Sequence, residues 1–355
     1  MITPDIFPRR RFLFRSTLGL GSLALARLLS GDAEAASMTR PGDGRSHFAP
    51  RAKRVIFLFQ SGGPSQLELL DYKPDLGRHF DKDLPDSVRM GQRITGMVSG
   101  QARLPVAPSR FGFRRCGRSG LWMGDLLPHL QGMADDLCIV RSMNTEAINH
   151  DPAITLIQTG SQQPGRPCIG SWADYGLGSM NENLPAFMVL ISTPSTGTGD
   201  QGLLSRLWGS GFLPSRHQGV KLRTGTEPVL YLNDPPGTDR GARREWLDAL
   251  NGLNRRRLED VQDPEIATRM AQYEMAYRMQ ASVPELTDLS GESESTYKLY
   301  GEAARQPGSF AANCLLARRM AERGVRFIQL YHRGWDHHGS LPERDRKSTR
   351  LNSSH

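Results

Sequence analysis

Cysteine is scarce in this chain. Cys116, Cys138, Cys168 and Cys314 are scattered through 355 residues with no Cys-x-x-Cys pair. That spacing excludes a cysteine-based zinc finger and gives no framework for a disulfide fold, so no pairing is assigned. Long hydrophobic runs are also missing. The best candidate, Leu18 to Leu29, is broken by Arg27 and falls short of the ~20 apolar residues that cross a bilayer, so no stable membrane span is expected. There is no concentrated positive face either. The net charge of +8 owes five arginines to residues 1–35 and four Lys/Arg to residues 344–355. What remains, 36 basic against 33 acidic residues, is nearly neutral, and nucleic acid is not an expected partner.

What is present is enough apolar material, 38% of the chain, for one large α/β domain or two smaller ones. Residues 1–35 read as a targeting segment rather than structure. Arg9, Arg10 and Arg11 precede Phe12-Leu13, a modest apolar stretch follows, and Ala33-Glu34-Ala35 offers a small-residue cleavage site. This pattern resembles a twin-arginine export signal, which implies the twin-arginine translocase as a partner during export and a destination in the periplasm or at the cell surface. A polar linker, residues 36–51, leads to the first strand, Arg54 to Phe59.

That strand runs into Gln60-Ser61-Gly62-Gly63-Pro64-Ser65. A glycine turn after a hydrophobic strand is the usual opening of an α/β sheet, and it lets backbone amides approach a ligand. No Gly-Lys-Ser/Thr follows, so this is not a Walker loop. Gly62, Gly63 and Ser65 are candidate substrate-binding residues. Residues 72 to 118 read as a long irregular excursion. Leu126, Leu127, Leu130 and Met133 share one helical face, and Leu137 to Met143 reads as a second buried strand.

In Asn149-His150-Asp151-Pro152-Ala153 through Thr159-Gly160, Pro152 suits a first helical turn, Asp151 can cap it and Gly160 suits its end. His150 then stands at a helix N-terminus, where free N–H groups and the macrodipole favour an anion. His150 and Asp151 are the candidate catalytic residues. Phe187 to Ile191 lies in a third expected strand, and residues 246–257, 264–281 and 309–323 read as helices. Ile266, Met270, Tyr273 and Tyr277 are expected in the core.

The last strand, Val325 to Tyr331, delivers His332, Asp336, His337 and His338 at its C-terminal end. Ligands in parallel α/β sheets converge there, and carboxylate with imidazole is a donor set for zinc or manganese. Asp336 and His338 are the candidate metal ligands, for zinc, manganese or calcium.

Taken together, the Gly-Gly-Pro-Ser turn, Asn-His-x-Pro-Ala ahead of Thr-Gly, Gly165-Arg166-Pro167 with Gly170-Ser171-Trp172, and Gly-Trp-Asp-x-His resemble the DUF1501 family of bacterial exported proteins. The resemblance covers residues 52–343 and implies the alkaline-phosphatase and sulfatase superfamily: an α/β fold with a mostly parallel sheet flanked by helices, here incomplete at the C-terminus. It places His150 at the nucleophile position of the sulfatases and Arg166 beside the substrate. The chain departs from that superfamily at Gln60-Ser61, where a metal-binding Asp is usual, and at position 150, which has no hydroxyl or thiol. Residues 344–355 have no apolar period and read as a tail foreign to the domain. The expected function is metal-dependent hydrolysis of sulfate or phosphate esters, on a small molecule or a polysaccharide. The alternative is a non-catalytic relative that binds polysaccharide or a surface partner.

Overall fold

A computed structural model describes residues 48–337, apart from 92–95, 97–98, 194–201, 224–227, 230–233 and 235–236. His338 and the expected export signal therefore lie outside the described residues, as do most of the linker and the tail.

The apolar runs of the chain assemble into a four-stranded parallel sheet. Its strands are β1 (Val55–Gln60), β4 (Phe187–Ile191), β5 (Val220–Leu222) and β6 (Phe327–His332), in the order β1-β6-β4-β5. The last strand in sequence is thus central. Val55 stands beside Phe327 on one side of β6, and Phe187 stands beside it on the other. All six residues of β6 are buried, as a parallel strand covered on both faces requires. A separate antiparallel pair, β2 (Phe113–Cys116) and β3 (Leu121–Gly124), emerges from the long irregular segment.

Four short and long helices precede the second half of the sheet: α1 (Gln66–Leu69), α2 (Asp86–Arg89), α3 (Pro128–Gln131) and α4 (His150–Thr159). They are followed by α5 (Ile169–Leu177), α6 (Arg240–Val261), α7 (Pro264–Thr287), α8 (Glu294–Tyr300) and α9 (Phe310–Glu322). The sheet separates two cores. On one face Phe187, Val189, Phe327 and Tyr331 pack with Ile154 of α4 and Cys168, next to α5. On the other, Met188, Leu190, Ile328 and Leu330 pack with Met279, Val283 and Leu286 of α7 and Met320 of α9. Alternate residues of each strand feed opposite cores, so a one-residue slip of β6 would exchange them.

The four cysteines are unpaired. Cys168 and Cys314 are core residues whose thiols burial pushes up, that of Cys314 to about 12. Neither is a thiolate at neutral pH.

Three expectations need correction. Leu137 to Met143 forms no strand; Leu137 packs against the Leu69–Met123 core, while Val140 and Met143 are exposed. The face of Leu126, Leu127, Leu130 and Met133 is not one helix: α3 is a single turn followed by a 3-10 turn at Ala134–Asp136, and Leu130 and Met133 are exposed. Tyr273 also faces solvent, because α7 presents Thr268, Met279, Val283 and Leu286 to the interior.

Candidate functional site

The C-terminal ends of β1 and β6 lie side by side, and the turns that follow them are stitched together. Ser61 N–H donates to His332 O at 2.8 Å, and Trp335 N–H donates to Ser61 O at 3.1 Å. Gly62 has φ +114°, and a Cβ there would stand 2.4 Å from the Asp336 nitrogen. Only glycine meets both conditions, which explains the glycine in physical terms. Gly63, at φ +80°, faces the His150 ring, with Cε1 4.0 Å from where its Cβ would be.

Helix α4 brings His150 to the same place. Its Nε2 lies 3.3 Å from Asp336 Oδ2; the His150 side chain is 45% exposed and that of Asp336 19%. Asn149, not Asp151, is the N-cap residue of α4, and it makes no side-chain cap bond. Asp151 is instead in the first turn and pairs with Arg206, from the 3-10 turn Ser205–Trp208. Gly160 ends the helix in the left-handed conformation, as expected. The N–H groups of Gly62, Gly63, His150 and Asp151 donate no hydrogen bond within the described residues. Those of His150 and Asp151 lie at the N-terminus of α4, where the macrodipole favours an anion.

The loop after β6 is held from behind. Trp335 is buried, and its Nε1–H donates to His332 Nδ1 at 3.0 Å. His332 stacks on Phe310 of α9 with ring centroids 4.1 Å apart. An accepting Nδ1 puts the proton of a neutral His332 on Nε2. His332 is thus held between Trp335 and Phe310 at the base of the loop. His337 contacts Gly334 O at 3.1 Å.

The other sequence candidates share no hydrogen bond or ion pair with this centre among the described residues. Ser65 is the N-cap residue of α1; its hydroxyl makes no cap bond, and its carbonyl accepts from Glu68 N at 3.1 Å. The Arg166 side chain is exposed, and its backbone packs against Gly211. No hydrogen bond or ion pair among the described residues joins Arg166 to His150 or Asp336. Glu68 is buried and is consumed by Ser109 Oγ and the Arg110 N–H. Asp71 pairs with Lys73. Sequence reasoning missed Arg206, which has no pattern to mark it: it becomes visible only when α4 packs on the 3-10 turn that carries it.

A profile of a protein family of unknown function, DUF1501, matches residues 52–351. The chain belongs to this family. The match covers the whole sheet and every residue of the His150–Asp336 centre, and it continues past residue 343. No curated protein and no solved structure matches the chain. Family membership thus assigns no activity, and the chemistry has to be argued from the site.

A divalent metal can be tested against the donors present. Two ligands, each about 2.0–2.1 Å from a tetrahedral zinc ion, stand ~3.3 Å apart. The 3.3 Å between His150 Nε2 and Asp336 Oδ2 matches that spacing but equally matches an Nε2–H···Oδ2 contact, which takes Nε2 out of a ligand set; the Asp336 carboxylate fits zinc or manganese. Among the described residues no group of three His, Cys, Asp or Glu side chains converges. Asp336 thus supplies part of a ligand set.

Proposed function

We propose that the protein is an exported relative of the alkaline phosphatases and sulfatases that hydrolyses sulfate or phosphate esters with a divalent metal. The observation that supports this most is the His150–Asp336 contact, set under the Gly62-Gly63 turn at the N-terminus of α4. In this reading the anionic group of the ester sits against the free amides of the turn and of α4. Arg206, tethered by Asp151, adds a guanidinium at that end of α4. A proton on His150 Nε2 faces the Asp336 carboxylate, so Nδ1 keeps its lone pair for a water molecule or for the ester centre itself. Asp336 and His338 would hold zinc, manganese or calcium, which would supply Lewis-acid polarisation of an ester oxygen. Export by the twin-arginine route places this activity in the periplasm or at the cell surface, where sulfated or phosphorylated small molecules and polysaccharides are the substrate classes. Among the described residues no helix is long and apolar enough to cross a membrane.

The test is release of nitrophenol from p-nitrophenyl sulfate and p-nitrophenyl phosphate, with zinc, manganese or calcium added. Hydrolysis that falls at least about 100-fold in His150→Ala supports the reading. Arg206→Ala is expected to weaken substrate binding about 10-fold, near 1.4 kcal/mol. No release above background with any of the three metals refutes the hydrolase reading.

Two observations favour a second reading, in which the fold is kept without the chemistry and the same site binds polysaccharide or a surface partner. Position 150 offers neither hydroxyl nor thiol, and the described residues hold no three-ligand group.

A further inference from the structure

Two glutamines are buried in the apolar layer between α4 and the sheet. Gln158, in the last turn of α4, and Gln329, in the middle of β6, are each 1% exposed. Gln329 is flanked on its neighbouring strands by Phe57 and Val189. Its Nε2 donates to Gln158 Oε1 and, at 2.7 Å, to the Tyr331 hydroxyl. Both amides remain half satisfied: Gln158 Nε2 and Gln329 Oε1 are buried without a hydrogen-bond partner. A pair of apolar side chains of the same shape would avoid that desolvation cost. Stability alone therefore does not account for these residues.

Their location does. α4 runs antiparallel to β6, with Gln158 at its lower end and His150 eight residues, or ~12 Å, above it. Gln329 lies ~10 Å below the end of β6, from which the loop leads to Asp336. The amide contact thus joins the two elements that carry the His150–Asp336 pair. An apolar interface would let α4 settle at neighbouring positions along the sheet at little cost. A directional hydrogen bond between amides selects one of them.

We propose that Gln158 and Gln329 are positioning residues that fix α4 along β6 and thereby hold His150 against Asp336. The inference rests on the reading of that pair as the working centre. Its test reads the contact itself rather than ester hydrolysis, so an absence of hydrolase activity leaves the result interpretable.

The experiment is nitrogen NMR of the full chain with labelled histidine, with the His150 resonances assigned through His150→Gln. In the otherwise unaltered protein, Asp336→Asn shifts the His150 Nε2 resonance. In the Gln158→Leu/Gln329→Leu background that response is expected to fall by at least half, while the urea midpoint of the paired variant stays the same or rises. A full response in the paired variant overturns the proposal. Ile154→Val loosens the same interface without touching the amides, and there the response is expected to persist. Its equal loss in Ile154→Val would assign the effect to packing and overturn the proposal too. Should the paired variant not fold, exchange of the glutamine side-chain amide hydrogens in the unaltered protein decides. Exchange at least about 100-fold slower than in exposed glutamines is expected. Exchange at the exposed rate shows that the contact does not form and overturns the proposal.

Discussion

Gly62→Ala is the sharpest test of how the site is built. The substitution asks a residue with a Cβ to hold φ +114° and places that atom 2.4 Å from the Asp336 nitrogen and 2.9 Å from the Trp335 carbonyl carbon. The first condition costs about 1–2 kcal/mol. The second is a backbone clash that no side-chain rotation relieves, worth about 1–3 kcal/mol more. The sum, near 3 kcal/mol, is a large share of the ~5–15 kcal/mol that stabilises a domain. Gly63→Ala supplies the control. It carries the backbone cost at φ +80° but meets only the His150 ring, at an ordinary contact distance of 4.0 Å. It is expected to cost about 1 kcal/mol. Urea unfolding followed by fluorescence and circular dichroism gives both values on one scale. Trp335, buried beside the clash, is one of the five tryptophans that report the transition. The reasoning is refuted if Gly62→Ala is as stable as Gly63→Ala, because the stitched turns would then not be packed as described.

Two further outcomes follow from the rest of the chain. Burial would raise the Glu292 carboxyl, but Arg318 at 2.7 Å and Arg319 at 2.8 Å outweigh it and hold its pKa below the usual value of 4.5. A carboxylate with a depressed folded pKa stabilises the protein above its unfolded pKa, and that contribution is lost as pH falls through the folded one. Glu292→Gln is therefore expected to destabilise by about 3 kcal/mol at pH 7 and to flatten the loss of stability below pH ~4.5; a variant curve parallel to the wild type contradicts this. Edge strand β1 exposes Val55, Ile56 and Leu58, an apolar row of the kind that drives edge association. Ile56→Lys with Leu58→Lys is expected to lower self-association in light scattering at matched concentration, with unchanged circular dichroism, and equal association in both proteins refutes that role.

The two strands that frame the site were legible because parallel strands write themselves as short, mostly apolar runs, as Val55 to Phe59 does and as Phe327 to Tyr331 does on either side of Gln329. Leu137 to Met143 has a similar texture but no strand partner among the described residues. Strand formation depends on a distant neighbour that composition does not name. α4 was legible from Pro152 and Gly160, yet its cap moved to Asn149, because local rules fix a helix end only to within a residue or two. His150 and Asp336 were each marked by residue type and by position at the end of an element. Their contact was not legible, because it depends on α4 packing against β6. Arg206 and the Gln158–Gln329 pair carried no signal at all: one lies in an irregular turn, and the others interrupt apolar faces where polar residues look like noise.

The proposed hydrolase chemistry turns on a divalent metal held through Asp336 and His338. Elemental analysis of the purified full chain tests it most directly, beside Asp336→Ala and His338→Ala. The account predicts close to one zinc, manganese or calcium ion per chain, lost in both variants while the circular dichroism is retained. Protein free of metal, or metal retained in both variants, contradicts it.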